Sequence, residues 1–259
     1  MKRTLASDID GTLLINGEIA TTTLDAIKLL KEAGHSFILC TGRDFANTKQ
    51  VFEQYDLEID GLVLCNGAFI LDSHLGSYYE KNIKQSVAKE IYDAYDQKDG
   101  FYMAYVDGYS TYMDRYPDFI DQMALEVQKV SKEEMNEKSG EIKLISLIAL
   151  GATVDEVEKI KNQLNNRYRN DIIAYRNQTF IDIVPKGCSK ASGIAKLMDK
   201  LESSEEHIYV IGDSWNDLSM FESYPSSFTF NHAEEDLKSY VKYTVDSVED
   251  CIRHLLEKN

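Results

Sequence analysis

Two aspartates near the start of the chain are the first residues that point to chemistry. Asp8 and Asp10 are one residue apart and are followed by Gly11. If the backbone is extended there, both carboxylates lie on one face, because side chains alternate along a strand. Two carboxylates about 4 Å apart repel by roughly 4 kcal/mol at an effective dielectric near 20, so a cation or a bound proton is expected beside them. A hard divalent metal ion fits best, although a strand that simply ends in an Asp-Gly turn would show the same residues.

Other polar residues stand where later apolar runs end. Three such runs are followed by Thr41-Gly42-Arg43, by Asn66-Gly67 and by Gly212-Asp213 with Asn216 and Asp217. Each group alone would fit an ordinary turn or a helix cap. In an open parallel sheet, however, the carboxyl ends of the strands share one edge, and ligands bind there. The sequence therefore predicts that these groups and the two aspartates form a single cluster.

The elements that must position this cluster alternate along both ends of the chain. From residue 4 to residue 65 the pattern predicts strand, helix, strand, helix, strand, and from about residue 190 a helix and a strand follow again. Continuous apolar runs separated by helices are typical of parallel strands that are buried on both faces. We therefore predict an α/β fold with a doubly wound (Rossmann-like) parallel-sheet core.

The middle of the chain does not follow this alternation of strands and helices. Asp107-Gly108 lies between two aromatic runs, which is typical of a hairpin and hence of antiparallel pairing. A helix is predicted next, on the spacing of Ile120, Met123, Val127 and Val130. Three further strands are predicted at 142–150, 172–175 and 180–184. We therefore predict an inserted α+β cap domain at 83–185, within a core domain formed by 1–82 and 186–259.

The amino-acid composition of the chain limits the classes of partner that the protein is expected to bind. The formal charge of −16 argues against nucleic acid, and a small anionic substrate would need local positive groups because the global potential repels it. The four cysteines form no Cys-x-x-Cys pair and are expected to be reduced thiols. No apolar run is long enough to predict a membrane span. A cytoplasmic protein with no membrane partner is expected, and no oligomeric state is predicted.

Five motifs, in this order along the chain, resemble those of the haloacid dehalogenase (HAD) superfamily hydrolases of the Cof-type, or IIB, subgroup. They are Asp8-Ile9-Asp10-Gly11-Thr12-Leu13, Thr41-Gly42-Arg43, Asn66-Gly67-Ala68, Lys186-Gly187-Cys188-Ser189-Lys190 and Gly212-Asp213-Ser214-Trp215-Asn216-Asp217. The large insert lies where this subgroup has its C2B-type cap. The sequence departs from the family at Ala191, where glycine is frequent, and at 228–233, after the last motif.

The resemblance implies a role for each aspartate of the first motif. Asp8 would be the nucleophile that attacks phosphorus and forms an aspartyl-phosphate intermediate. Asp10 would protonate the leaving oxygen and then deprotonate the attacking water. The Asp8 carboxylate, the Asp10 carbonyl and Asp213 would hold Mg²⁺. The phosphoryl group would be bound by Thr41, by the backbone N–H groups of Ile9 and Gly42, and by Lys190 and Asn216.

Several residues keep more than one interpretation. Arg43 is either a surface cation or a substrate contact, and Asn66 is a further supporting candidate. Asp217 would bind the metal directly, bind it through water, or orient its neighbours. Lys190 lies near a predicted helix start, where a lysine is usually solvated. Trp215 is expected to pack against the cap rather than to stack on the substrate.

The function implied is a Mg²⁺-dependent phosphatase that acts on a small phosphorylated metabolite, such as a sugar phosphate, beneath a mobile cap that excludes water. One alternative is a phosphomutase of the phosphomannomutase type, which would isomerise its substrate without releasing phosphate. The other is a non-catalytic phospho-acceptor or binding protein that resembles a response-regulator receiver. Receivers, however, carry their acidic pair ahead of a separate acceptor aspartate and need no large insert.

Overall fold

The computed structural model describes residues 2–96, 98–122, 125–177, 179–201 and 203–257. The strands are β1 (Thr4–Ser7), β2 (Ser36–Cys40), β3 (Gly61–Leu64), β4 (Phe69–Asp72), β5 (Ser77–Glu80), β6 (Phe101–Val106), β7 (Thr111–Met113), β8 (Val127–Lys129), β9 (Leu144–Ala149), β10 (Ile172–Asn177), β11 (Phe180–Pro185), β12 (Ile208–Ile211), β13 (Ser226–Phe230) and β14 (Tyr243–Val245). The α-helices are α1 (Thr21–Glu32), α2 (Phe45–Gln54), α3 (Gln85–Tyr95), α4 (Lys132–Lys138), α5 (Val154–Arg167), α6 (Lys190–Leu201), α7 (Leu218–Ser223), α8 (Glu235–Lys238) and α9 (Val248–Glu257). Short 3-10 helices span Cys65–Gly67, Asp118–Gln122, Glu205–His207 and Trp215–Asp217.

The first sheet has β1 near its middle and runs in the order β14-β13-β12-β1-β2-β3-β4-β5. Pairing is parallel from β14 to β3, and all four residues of β1 are buried. Apolar clusters cover both faces, as the continuous apolar runs predict. The predicted α/β fold class is thereby confirmed.

An antiparallel edge extends this sheet beyond the predicted parallel strands. β4 pairs antiparallel with β3, and β5 pairs antiparallel with β4. The reversal after β3 occurs at Asn66 and Gly67, whose φ values are 47° and 88°. Glycine and asparagine are the residues that tolerate this left-handed conformation best. The Asn-Gly pair therefore turns the chain back along β3.

The second sheet runs in the order β10-β11-β9-β6-β7-β8 and is antiparallel except between β7 and β8. One face packs against α3 and α5 through alternate residues such as Met103, Ile145 and Leu147. The opposite face carries Ala104 and Ile148 in a separate, smaller apolar cluster. Helices thus cover one face of this sheet, and the other face is left to line a cavity.

Two predictions for this middle region have different outcomes. The hairpin at Asp107-Gly108 is confirmed by the antiparallel pairing of β6 with β7. The helix predicted through Ile120 and Val127 is wrong, because Ile120 lies in a 3-10 turn and Val127 begins β8; Met123 lies outside the described residues. Pairing with β7 gives β8 its hydrogen bonds. Both side chains join the same apolar cluster, so their spacing reflected a shared surface rather than one helix.

The division into a core (1–82 and 186–259) and a cap (83–185) stays a prediction, and the two names denote these residue ranges. Among the described residues, no helix has both the length and the apolar character needed to cross a bilayer.

Candidate active site

Asp8 lies directly after the central strand β1. Its backbone N–H donates to the carbonyl of Ile211 at 3.0 Å, which extends the pairing of β1 with β12 by one residue. Only 5% of the residue is exposed. The Asp8 carboxylate is therefore fixed at the carboxyl edge of the sheet, where ligands of such folds bind.

Lys190, the first residue of α6, is completely buried and connects two carboxylates. Its Nζ lies 2.6 Å from Asp8 Oδ1 and 2.6 Å from Asp217 Oδ1. Burial lowers the pKa of Lys190, but the carboxylates of Asp217 and Asp8 outweigh burial and raise that pKa above its ordinary value. The two carboxylates thus favour the charged ammonium, and the alternative of a solvated lysine is wrong because the side chain is completely buried.

Asp217 is also fully buried, and each of its oxygens has a partner. Oδ1 accepts from Lys190, and Oδ2 accepts from the backbone N–H groups of Asp213 and Ser214, both at 3.0 Å. A Cβ on Gly212 would lie 2.3 Å from Asp217 Cγ, so only glycine lets this carboxylate approach its own loop. Of the three interpretations of Asp217, this bonding favours the one in which it orients its neighbours.

Asp213 follows β12 and packs against the turn after Asp10. Its Oδ1 accepts from Thr12 Oγ1 at 3.1 Å. A Cβ on Gly11, whose φ is +79°, would lie 2.4 Å from Asp213 Oδ2. Gly11 therefore serves both the turn and the close approach of Asp213. Burial, together with the negative charge of Asp217, raises the pKa of Asp213 to about 6.

The acidic cluster fits a divalent metal ion. Carboxylate oxygens of Asp8, Asp213 and Asp217 lie within 4.8 Å of one another. Burial raises the pKa of Asp8; Lys190 counteracts this effect, and the carboxylates of Asp217 and Asp213 reinforce it. If all three carboxylates are ionised, the Lys190 ammonium leaves two negative charges unbalanced, which is the charge that Mg²⁺ would neutralise. Carboxylate oxygens are also the ligands that this hard ion prefers.

Asp10 is not one of these three grouped carboxylates, and it binds Arg43. Arg43 Nε lies 2.8 Å from Asp10 Oδ2, and Nη2 lies 2.6 Å from Oδ1, which makes a bidentate ion pair. The Arg43 side chain is 14% exposed, and its Nη1 donates to the carbonyl of Asn47. Both residues line the central cavity, which favours the interpretation of Arg43 as a substrate contact over that of a surface cation.

A cavity of about 230 Å³ lies between the acidic cluster and the open face of the cap sheet. Of the residues proposed from sequence, the ones that line it are Asp8, Asp10, Thr41, Gly42, Arg43, Asp213 and Asn216. The Thr41 hydroxyl accepts from the backbone N–H of Arg43 at 3.1 Å. Asn216 Oδ1 is buried without a hydrogen-bond partner among the described residues. Both side chains thus offer polar atoms to a ligand.

Two other sequence candidates lie beneath the cavity surface. The Ile9 side chain is fully buried in the core, so only its backbone could serve a ligand. Asn66 is buried, and its Nδ2 donates to Asp182 at 3.0 Å. Sequence reasoning brought the core residues to one edge but did not identify their contacts with the cap.

Asp182, on β11 of the cap, is a site residue that the sequence analysis missed. Ser146 Oγ donates to its Oδ1 at 3.3 Å, and a Cβ on Gly42 would lie 3.1 Å from its Oδ2. Burial raises the pKa of this carboxyl. The available signal was a single acid inside the apolar strand 180–184, because a charge at such a position needs a buried partner.

Arg176 on β10 joins the cap to the core beside this cavity. It is 4% exposed, and it binds Glu158 through Nε at 3.0 Å and Glu234 through Nη2 at 2.9 Å. Trp215 Nε1 also donates to Glu234, at 2.8 Å. The Arg176 guanidinium carbon lies 5.5 Å from the Trp215 ring centroid. Trp215 therefore packs against the cap, as predicted.

Comparison with known proteins agrees with this geometry. A family model described as haloacid dehalogenase-like hydrolase matches residues 5–253. The 5-amino-6-(5-phospho-D-ribitylamino)uracil phosphatase YitU of Bacillus subtilis (strain 168) is 26% identical over 265 residues, which covers 98% of this chain and 96% of that protein. The phosphatase YwtE of the same organism, named for the same substrate, is 25% identical and covers 94% of this chain and 92% of its own.

Solved structures share the fold over almost the whole chain. The HAD subclass IIB sugar phosphatase BT4131 superimposes with a TM-score of 0.83 at 22% identity, and the match covers 98% of each chain. TM0651 of Thermotoga maritima superimposes with a TM-score of 0.78 at 24% identity, covering all of this chain and 98% of its own.

Proposed function

Because the chain belongs to the haloacid dehalogenase-like hydrolase family, we propose that it hydrolyses a small phosphorylated metabolite through an aspartyl-phosphate on Asp8. The family and the phosphatases among its relatives make the chain a phosphoric monoester hydrolase. The observation that carries the finer proposal is the buried Asp8–Lys190–Asp217 cluster at the floor of the cavity. A charged lysine there opposes the rise in the pKa of Asp8 that burial causes, and it attracts a phosphoryl group.

The proposed first step transfers the phosphoryl group to Asp8. A carboxylate oxygen of Asp8 attacks phosphorus, the bond from phosphorus to the leaving oxygen breaks, and the Asp10 carboxylic acid gives its proton to that oxygen. In the free protein Arg43 forms a bidentate ion pair with Asp10 that occupies both carboxyl oxygens. Arg43 must therefore leave Asp10 when substrate binds, and the phosphate is its natural new partner.

The second step returns the enzyme to its starting state. The Asp10 carboxylate takes a proton from water, whose oxygen attacks phosphorus, and the bond between phosphorus and Asp8 breaks to free inorganic phosphate. Lys190, Thr41, Asn216 and the backbone N–H groups of Ile9 and Gly42 would hold the phosphoryl oxygens during both steps.

Mg²⁺ is the cofactor that we propose for this site. Asp8, Asp213 and the Asp10 carbonyl would hold it, and its chemistry is to neutralise the phosphoryl charge as a Lewis acid. We place the reaction in the cytoplasm, with residues 83–185 acting as the cap that keeps bulk water away from the intermediate.

The test is phosphate release from an aryl phosphate and from a panel of sugar phosphates, with Mg²⁺ or with chelator. We expect Mg²⁺-dependent release by the wild type and its loss in Asp8→Asn. Asp25→Asn, an exposed change of the same chemistry in α1, is the matched control and should keep full activity. Absence of release by the wild type under every condition would reject the proposal, and isomerised sugar phosphate in the same samples would identify a phosphomutase.

A further inference from the structure

The cap surface that faces Asp8 is mostly apolar. Strand alternation turns one set of side chains from β6, β7, β9 and β11 toward the cavity. The apolar residues that line the cavity from the cap are Ala104, Val106, Met113, Ile120, Leu125, Val127, Leu144, Ile148 and Phe180. The polar ones from the cap are Thr111, Ser146, Asn177 and Asp182. A bound leaving group would therefore meet mainly hydrocarbon.

The charges around the cavity are almost all negative. Among the described lining residues, Arg43 is the one cation, whereas five carry carboxyl groups: Asp8, Asp10, Asp44, Asp182 and Asp213. Arg43 lies on the core side, as does Lys190 beneath the floor. Positive charge is thus concentrated where the phosphate of the substrate would bind, and none of the described lining residues of the cap supplies more.

A second anionic group on the substrate would consequently lack a partner. Beside the apolar cap surface it would lose hydration without gaining a counter-charge, which is costly. Any negative charge on Asp182 or Asp44 would add repulsion. A neutral group does not have this cost, because it carries no charge that needs a partner. A cationic group avoids this cost, since the carboxyl groups of Asp182 and Asp44 line the same cavity and can accept its hydrogen bonds.

We propose that the substrate is a phosphomonoester whose leaving group is uncharged or cationic and presents an apolar surface to the cap. Bisphosphates and phosphorylated carboxylic acids are excluded by the same charges. This inference rests on the phosphatase activity proposed above and narrows its substrate class.

Three aryl phosphates that differ only in the para substituent test the inference: phenyl phosphate, 4-carboxyphenyl phosphate and 4-(aminomethyl)phenyl phosphate. We expect kcat/KM for the carboxylate probe to be at least tenfold below that for phenyl phosphate, mainly through KM, and the ammonium probe to equal or exceed phenyl phosphate. Hydrolysis of the carboxylate probe as efficiently as the neutral one would overturn this inference and leave the phosphatase proposal intact. No phosphate release from any probe would overturn both.

A positive charge introduced into the cap tests whether the lack of a cation there causes the expected discrimination against the carboxylate probe. Val127 is half-buried at the start of β8 and lines the cavity, so a lysine there can direct its ammonium toward the ligand. Val127→Lys should raise the kcat/KM for 4-carboxyphenyl phosphate, divided by that for phenyl phosphate, by at least tenfold. Val154→Lys, an exposed change at the start of α5, should leave the ratio unchanged. If circular dichroism shows that Val127→Lys is unfolded, Phe180→Lys, half-buried on the same surface, replaces it. An unchanged ratio in the folded variant would overturn the inference.

Discussion

The two sides of the cavity carry different kinds of side chain. We call the core side, with Asp8, the floor and the cap side, with Ala104 and Ile148, the roof. On the floor, charged groups such as Asp8, Lys190 and Asp217 are bound to one another at about hydrogen-bond length. On the roof, alternate residues of the cap sheet offer hydrocarbon and, among the described lining residues, no cation. The floor is specified by chemistry that any phosphate ester requires, whereas the roof can be specified only by the shape and charge of one leaving group.

The largest effect is expected from replacing Asp10, the proposed proton donor. Asp10→Asn should lower steady-state turnover by roughly 10²–10⁴-fold, because it cannot activate the water of the second step. With 4-nitrophenyl phosphate, whose leaving group needs no proton, we expect a rapid burst of one nitrophenolate per active site before slow turnover.

Quenched-flow measurement of nitrophenolate would show this burst, and Asp25→Asn should behave as the wild type. A uniformly slow reaction without a burst would contradict the role proposed for Asp10 in the second step.

The buried ion pairs of Lys190 are expected to contribute strongly to the free energy of unfolding. Lys190→Met keeps the length of the side chain but leaves Asp8 and Asp217 buried without their cation. The free energy of unfolding should fall by roughly 3–5 kcal/mol, the usual cost of breaking a buried ion pair. Urea denaturation measures it, with the exposed Lys28→Met as control. The double variant Lys190→Met/Asp217→Asn should recover part of the loss; a further loss would reject the charge explanation.

The two faces of the cap sheet can be compared in the same assay. Leu147→Ala, on the face covered by helices, should cost about 2–5 kcal/mol because it leaves an enclosed void. Met113→Ala should cost clearly less, since its side chain adjoins a cavity that already exists. Equal losses would show that the cavity face is packed as tightly as the helix face.

The smallest expected effect concerns the ion pair between Arg176 of the cap and Glu234 of the core. The guanidinium of Arg176 lowers the pKa of Glu234 below its ordinary value of 4.5. The pair therefore stabilises the fold above pH 4.5, and this stability is lost as pH falls through the lowered pKa of the folded state. Glu234→Gln should cost about 0.5–1 kcal/mol at pH 7, since the glutamate is partly exposed. Urea midpoints at pH 7 and pH 3.5 should show this difference shrink; a constant difference would contradict the ionic origin.

Family, fold class and enzyme class were predictable from sequence and are confirmed. Motifs at strand ends are readable because phosphoryl transfer tolerates few substitutions and because parallel strands share one edge. The roles of the individual site residues stay predictions, although the structure brings Asp8, Lys190, Asp213 and Asp217 together.

What the sequence did not reveal depends on contacts between distant segments. Asp182 is close to Gly42 only because β11 lies over the core, and no local pattern encodes that approach. The spacing of Ile120 and Val127 fitted a helix, but pairing of β8 with β7 decided the structure. The β3–β4 hairpin followed from left-handed backbone at Asn66 and Gly67, which residue types permit but do not require.

Trp215 has a use that follows from its position. It is the single tryptophan of the chain, and its indole binds Glu234 next to Arg176 of the cap. If cap and core separate, the ring keeps Glu234, which also belongs to the core, but exchanges Arg176 for water, and its fluorescence should shift to longer wavelength. The native protein therefore contains its own optical reporter, which would allow stopped-flow fluorescence to time cap opening against product release without any label.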